Sequence, residues 1–108
     1  MATLIAEHAS IDPRAEIDED VEIGPFCVIG PHARIGRGTR LENSVTILGR
    51  VTIGQCNHIY PNTVIGAAPQ DLSYHGTDTQ VVIGDYNTIR ECVTINRASE
   101  KEDGVTRI

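Results

Sequence analysis

The feature that most limits how this chain can fold is an aliphatic side chain at every sixth position. The column consists of Ile5, Ile11, Ile17, Ile23, Ile29, Ile35, Leu41, Ile47, Ile53, Ile59 and Ile65. A spacing of six matches neither the 3.6-residue period of an α-helix nor the turn spacing of about 8–12 residues in ordinary antiparallel sheet proteins. The chain must therefore repeat a six-residue structural unit over more than half of its 108 residues.

A second column of smaller side chains keeps the same spacing, four residues after the first. Its members are Ala9, Ala15, Val21, Cys27, Ala33, Thr39, Val45, Val51, Asn57 and Thr63. A large residue that points inward and a smaller one that packs near the corner would together fill a narrow triangular prism. This pattern is typical of an all-β protein, a parallel β-helix of hexapeptide repeats in which three units close one coil. We predict coils at about 5–22, 23–40 and 41–58, stacked about 4.8 Å apart. The alternative is an antiparallel sandwich in which the spacing is accidental.

The repeat is first interrupted after Ile65. The next two sixth positions hold Asp71 and Thr77, and the aliphatic column resumes at Ile83. We expect residues 67–80 to form a loop that protrudes between two faces of the helix. Loops inserted into a rigid repeat are frequent sites of function.

A second interruption covers residues 96–107, which are charged and contain a glycine, and the next hexad should open at Ile108. A β-helix that ended there would leave the N–H and C=O groups of its last coil unpaired. We therefore expect residues 1–108 to be the N-terminal part of a longer β-helical domain, whose handedness the repeat does not show.

Charge and cysteine content exclude several classes of function. The formal net charge is −6 and Lys and Arg form no run, so nucleic acid is not expected as a partner. Three cysteines without paired spacing argue against a disulfide framework or a Cys-x-x-Cys metal site, and they favour a reducing compartment. The sequence has neither an apolar run of about 20 residues nor a signal peptide, so we predict a cytoplasmic protein.

Three segments resemble a known family: IGPFCVIGPH at 23–32, IGAAPQDLSYHG at 65–76 and IRECVTINRAS at 89–99. Together they resemble the acyl-[acyl-carrier-protein]:UDP-N-acetylglucosamine O-acyltransferases, which begin lipid A synthesis. A hexapeptide repeat alone is shared with acetyltransferases, nucleotidyltransferases and γ-class carbonic anhydrases. The second and third segments are much more specific.

The resemblance implies a homotrimer of left-handed β-helices with active sites between subunits, although the general rule for parallel crossovers would favour right-handed coils. It also implies a (3-hydroxy)fatty acyl group delivered as an acyl-carrier-protein thioester, and a UDP-sugar whose 3-hydroxyl attacks that group. A histidine acts as general base, for which a pKa of about 7 is suitable. Neither a metal ion nor a cofactor is implied.

The first loop is where the resemblance places most substrate contacts. Asp71 matches the family's loop aspartate, which helps to hold the sugar, and Gln70 and Tyr74 match its neighbours. Ser73 stands where the family commonly has Lys, so one cationic contact to the ligand would be missing. A local alternative for Asp71 is an Asx-turn within its own loop.

The second interruption supplies the remaining candidates. Asn96 stands where the family commonly has His, whereas Arg97 is kept. A surface ion pair between Arg97 and Glu91 is the local alternative. The candidate substrate-binding residues are thus Gln70, Asp71, Ser73, Tyr74, Asn96 and Arg97. No catalytic residue is assigned in this chain: the general-base histidine is expected beyond Ile108, and the fragment alone should be inactive.

Two other functions compete with acyl transfer. A non-catalytic trimeric β-helix scaffold related to the family would account for Ser73 and Asn96. A zinc enzyme of the γ-carbonic-anhydrase type needs three converging histidines. The spacing of that zinc site is absent from the four histidines, which are His8, His32, His58 and His75. The first two fall at turn positions, where we expect them to face solvent.

Overall fold

A computed structural model describes residues 3–67, 79–98 and 104–108. Within these residues the chain forms fifteen short strands. They are β1 Leu4–Ile5, β2 Ser10–Ile11, β3 Glu16–Ile17, β4 Glu22–Ile23, β5 Val28–Ile29, β6 Ala33–Ile35, β7 Arg40–Leu41, β8 Thr46–Ile47, β9 Arg50–Ile53, β10 His58–Ile59, β11 Val64–Ala67, β12 Gln80–Ile83, β13 Thr88–Ile89, β14 Thr94–Asn96 and β15 Val105–Arg107. No helix in the described ranges is long and apolar enough to cross a membrane.

Every third strand belongs to the same parallel sheet. Sheet A has the order β1-β4-β7-β10-β13, sheet B the order β14-β11-β8-β5-β2, and sheet C the order β15-β12-β9-β6-β3. Ile5 pairs with Ile23 and Ile23 with Leu41. Each uninterrupted coil advances the chain by 18 residues, which is also the separation of Glu16 and Arg34 on successive rungs. The predicted coil length is confirmed, and the antiparallel sandwich is excluded because every described pairing is parallel.

The register also shows that both interruptions add chain while the rungs before and after them stay paired. Thr39 and Asn57 stand on successive rungs 18 residues apart, whereas Asn57 and Asn87, which span the first insertion, are 30 residues apart. Gln80 pairs with Val105 across the second insertion, which is shorter than the first. The rungs remain stacked in both cases, because Ile53 still pairs with Ile83 and Val82 with Arg107.

Both columns seen in the sequence point into the prism. The buried apolar residues are Val21, Ile23, Cys27, Ile29, Ala33, Ile35, Leu41, Val45, Ile47, Val51, Ile53, Ile59, Ile65, Val81, Ile83 and Ile89. The buried polar residues of the second column are Thr39, Asn57 and Thr63. β-Branched side chains suit this geometry. Their χ1 torsion is restricted, and the branched side chain packs well against the equivalent residue of the next rung.

At several corners of the prism, residues other than glycine adopt the left-handed backbone conformation. The described residues of this kind are Asp20, Phe26, Ser44, Cys56, Asn62, Tyr86 and Cys92, with φ between 54° and 62°. Each lies three residues after an inward aliphatic residue. This conformation is uncommon for L-residues other than Asn and Asp. The closed coil therefore holds several residues, such as Phe26 and Tyr86, in a backbone conformation that their intrinsic preference disfavours.

The second interruption is shorter than predicted. Asn96 is the last residue of β14, and Val105–Arg107 form β15 beside β12. The prediction was wrong here because charged residues were assigned to a loop. Arg107 instead belongs to a strand and pairs with Val82 at an outward position, which a cation can occupy. The first loop is also shorter than expected at both ends, since Ala67 and Gln80 belong to strands. Residues 68–78 lie outside the described residues.

Candidate functional site

The candidate residues fall into two groups. Gln70, Asp71, Ser73 and Tyr74 lie outside the described residues, so their predicted substrate contacts stay predictions. Asn96 and Arg97 are described, and both are half-buried at the corner where the chain leaves sheet B.

This corner joins the two insertions. The Arg97 N–H donates a hydrogen bond to the Ala67 carbonyl at 2.8 Å, on the last described residue before the first insertion. The Thr106 hydroxyl donates to the Asn96 carbonyl at 3.0 Å. The structure therefore brings the start of the first insertion and both ends of the second to one place.

The backbone at Gly66 turns sharply to begin the first insertion. Its φ is +91°, and a Cβ atom there would lie 1.9 Å from the Leu48 carbonyl oxygen, so only glycine fits. The pairing register shifts between Ile65 and Ala67, which marks a bulge in β11. The sequence did not reveal this function of Gly66. Glycine follows many of the inward aliphatic residues, and the sequence does not distinguish Gly66 from the other glycines at equivalent positions.

The Arg97 side chain lies against the backbone of Gly49, just after the end of β8. A Cβ atom at Gly49 would lie 2.9 Å from Arg97 Cδ and 3.0 Å from Arg97 Nε. The Arg97 Nε atom is itself buried. Arg97 is thus a half-buried cation beside the insertions.

Glu91, the partner considered for Arg97, is engaged with its sequence neighbour. Arg90 Nε lies 2.9 Å from Glu91 Oε1, and this hydrogen bond holds the pKa of the Glu91 carboxyl below its usual value. The surface pair between Arg97 and Glu91 is therefore replaced by the pair of Arg90 with Glu91.

The described histidines show no common site. His8 and His32 lie at corners, where both are exposed as expected. His58 Nε2 lies 2.5 Å from Glu42 Oε2, and the His58 ring stacks on Tyr60 with ring centroids 4.3 Å apart. Over the described ranges no group of three or more His, Cys, Asp or Glu side chains could hold a metal ion. His75 lies outside the described residues.

Comparison with known proteins identifies relatives over nearly the whole chain. Residues 5–100 match the family described as the GMPPB C-terminal domain. The acyl-[acyl-carrier-protein]–UDP-N-acetylglucosamine O-acyltransferase of Thermodesulfovibrio yellowstonii is 56% identical over 104 residues, which are 96% of this chain and 40% of that protein. The protein of the same name from Anaeromyxobacter sp. is 50% identical over 62 residues, which are 57% of this chain and 24% of that protein.

Solved structures agree with the sequence relatives. LpxA from Acinetobacter baumannii superposes with a TM-score of 0.95 at 43% identity, over 97% of this chain and 41% of that one. LpxA from Bacteroides fragilis, a UDP-N-acetylglucosamine acyltransferase, gives 0.94 at 43% identity, also over 97% and 41%. The left-handed form of the β-helix, predicted from the resemblance, is thereby confirmed.

The chain spans 24–41% of the length of these relatives. The match to the family model nevertheless extends from residue 5 to residue 100 of the chain. The chain therefore belongs to the family of the GMPPB C-terminal domain, and the resemblance to the UDP-N-acetylglucosamine O-acyltransferases predicted from its motifs is confirmed.

Proposed function

We propose that this chain supplies part of the substrate site of an O-acyltransferase. The enzyme would transfer a (3-hydroxy)fatty acyl group from acyl-carrier protein to the 3-hydroxyl of UDP-N-acetylglucosamine, as the first step of lipid A synthesis. The observation that carries the proposal is the 56% identity over 104 residues with a protein of that name. The junction of the two insertions at Asn96 and Arg97 supports it further.

The reaction exchanges one acyl bond for another. The sugar hydroxyl oxygen forms an ester bond with the acyl carbonyl carbon, and the bond from that carbon to the carrier's sulfur breaks. A histidine base takes the hydroxyl proton and returns a proton to the leaving thiolate. We assign this base to no residue of the present chain and expect it beyond Ile108. No metal or cofactor enters this scheme.

The present chain contributes binding groups in this scheme. Asp71, with Gln70 and Tyr74 beside it, would hold the sugar. Arg97 would face the anionic part of the UDP-sugar, because a guanidinium pairs well with phosphate oxygens. Ser73 and Asn96 would offer a hydroxyl and an amide where the family commonly has Lys and His.

A homotrimer is proposed on the basis of one uncharged face. The outward residues at the first position of each sheet B strand are Ser10, Val28, Thr46, Val64 and Thr94. Sheets A and C instead carry outward ion pairs, such as Arg40 with Glu22 at 3.3 Å and Arg34 with Glu16. A face without charges can be buried against a second copy at little desolvation cost. Asn96 ends the last strand of this face and Arg97 follows it, so a neighbouring copy would complete the site.

Oligomerisation can be tested by placing a charge on this face. Val28 is 43% exposed, so Val28→Glu should fold normally and dissociate the trimer. Thr52→Glu, at an outward position of sheet C, is the matched control and should stay trimeric. Sedimentation velocity distinguishes the two. A trimer unaffected by Val28→Glu would exclude sheet B as its interface.

A cytoplasmic location is also part of the proposal, since unpaired cysteines suit a reducing compartment.

The activity itself is tested with the complete gene product. It is incubated with 3-hydroxyacyl-[acyl-carrier protein] and UDP-N-acetylglucosamine, and the acylated sugar nucleotide is detected by mass spectrometry. Asn96→His, which restores the residue common in the family, should increase the rate. Asn43→His at an exposed corner is the control and should not. Absence of product from the unsubstituted protein, with UDP-sugar binding retained or lost, would favour the non-catalytic scaffold.

A further inference from the structure

We infer that Gly49 is a positioning residue of the substrate site, because its bare backbone is the surface on which the Arg97 side chain lies. This inference rests on the proposed function, in which Arg97 contacts the UDP-sugar. Gly49 contributes no functional group of its own. Its effect would come from the space that a side chain at this position would occupy.

Arg97 reaches Gly49 across a displaced rung. β11 pairs with β14 above it and with β8 below it, so Ala67 stands between the coil of Arg97 and the coil of Gly49. The register shift between Ile65 and Ala67 moves the backbone of the intervening rung where the first insertion begins. The Arg97 side chain can therefore extend past this rung and lie on the next one.

The contact is closer than a side chain at position 49 would permit. A Cβ atom would lie 2.9 Å from Arg97 Cδ, 3.0 Å from Nε and 3.2 Å from Cζ. These atoms belong to the outer part of the Arg97 side chain, so the guanidinium would have to shift by a few tenths of an ångström. A displaced guanidinium would lose the fixed two-donor geometry that distinguishes arginine from lysine in anion binding.

Backbone conformation alone does not explain glycine at this position. Gly49 has a φ of +69°, but Asn62 and Ser44 adopt φ of 62° and 60° at other corners of the same helix. Asparagine in particular tolerates this conformation. The feature that separates Gly49 from those corners is the arginine that lies on it.

Gly38 provides a matched control at another corner. Its φ is +75°, and a Cβ atom there would lie 3.1 Å from the Cys56 sulfur, with the other near atoms also belonging to Cys56. Substitution of Gly38 thus introduces the same backbone strain and a similar local contact. Arg97 is untouched by it, so the difference between the two sites isolates the positioning effect.

The experiment compares Gly49→Asn, Gly49→Ala, Gly38→Asn and Arg97→Ala with the double variant Gly49→Asn/Arg97→Ala, all in the complete gene product. The readouts are KM and kcat for UDP-N-acetylglucosamine, with the Kd of the UDP-sugar measured by calorimetry. We expect Gly49→Asn and Arg97→Ala each to raise KM and Kd about tenfold, the scale of one charge-assisted hydrogen bond. kcat should change less, because binding of the ground state is what is lost. Gly38→Asn should leave KM within about twofold.

The double variant separates positioning from a general structural effect. Once Arg97 is removed, Gly49→Asn should raise KM no further, because the two substitutions act through one contact. Should Gly49→Asn alone be insoluble, the double variant is expected to recover solubility, since the contacted atoms are gone.

Four results would contradict the inference. They are an unchanged KM in the Gly49 variants, an equal rise in Gly38→Asn, independent rises that multiply in the double variant, and failure of the double variant to recover an insoluble Gly49→Asn. These four results leave the proposed function intact. If the unsubstituted protein transferred no acyl group, the proposed function would fail and the inference about Gly49 would fail with it. The activity of the unsubstituted protein therefore distinguishes the two failures.

Discussion

Replacing Asn57 by valine should destabilise the β-helix, although valine is the residue that the repeat pattern favours at that position. Asn57 is 2% exposed and belongs to the second column, where Val21, Val45 and Val51 are aliphatic members. Judged by size and polarity alone, Asn57→Val would improve the core. The structure predicts the opposite.

The reason is a set of hydrogen bonds from the Asn57 amide to neighbouring backbone. Its Nδ2 donates to the Gly84 carbonyl at 2.8 Å and to the Gln55 carbonyl at 3.3 Å, while its Oδ1 accepts from the Asn87 N–H at 2.8 Å. These bonds link two successive rungs at the point where the first insertion has lengthened the path of the chain from one rung to the next.

The magnitude follows from the balance of lost and gained terms. Two strong hydrogen bonds and one weak one contribute about 1 kcal/mol each, or about 3 kcal/mol together. Valine gains about 1 kcal/mol from apolar burial. The difference between these two terms is the expected effect: Asn57→Val should lower the free energy of unfolding by about 2 kcal/mol.

Urea unfolding followed by far-UV circular dichroism measures this change, with the slope m expected to stay constant. Val45→Asn is the control, since it places the same amide in the same column but on a rung with no insertion above it. It should cost more than about 2 kcal/mol. A variant Asn57→Val as stable as the unsubstituted protein would refute the reasoning, because the amide would then add nothing to the column.

Three further predictions concern the core, the cysteines and an ion pair. Ile59→Ala removes a fully buried side chain from a middle rung and should lower the free energy of unfolding by about 2–5 kcal/mol in the same urea assay. Cys27 should react with a thiol reagent far more slowly than the two exposed cysteines, because it is 0% exposed and burial raises the pKa of its thiol; counting modified thiols against time checks this. Arg14→Ala should reduce stability at neutral pH only. The hydrogen bond from Arg14 lowers the pKa of Asp12, so the stabilisation is present at neutral pH and is lost as the pH falls through that lowered pKa. Equal effects of Arg14→Ala at neutral and acidic pH would contradict this.

The architecture could be predicted because a solenoid repeats one local rule. Each rung contacts only its neighbours, so a residue such as Ile47 meets Ile29 below and Ile65 above, and the same requirement recurs at a fixed interval. The interval is visible without coordinates. Even the length of a coil and the inward direction of the aliphatic column followed from it.

The exceptions to the rule could not be predicted in the same way. Thr106 stands opposite Val81 in a strand that the sequence indicated as a loop, because the outward charge of Arg107 beside it concealed the pattern. Asn57 counted only as a medium-sized residue, since the partners of its two strong hydrogen bonds lie 27 and 30 residues later in the chain. The first insertion lies between Asn57 and these partners, so the repeat of 18 residues per coil does not predict which residues face Asn57 on the next rung.

The candidate site shows the same division. The motifs around Asp71 and Asn96 identified the family, because short segments of unusual composition stand out against a regular repeat. They carried no information about which backbone would support them. Gly49, which lies far from Arg97 along the chain, was indistinguishable from other glycines until the two were placed in contact.

The amino-acid sequence by itself determined the stacked triangular coils, the positions of the two insertions and the family, since each of these depends on local periodicity or a local motif. Only the tertiary structure decided that both insertions emerge at one corner and that Arg97 lies on Gly49 there. That contact depends on the stacking of rungs that are distant along the chain and on a bulge that shifts one of them. The repeat pattern specifies what each rung must bury, but the arrangement of side chains at a corner is set by how successive rungs are displaced in space.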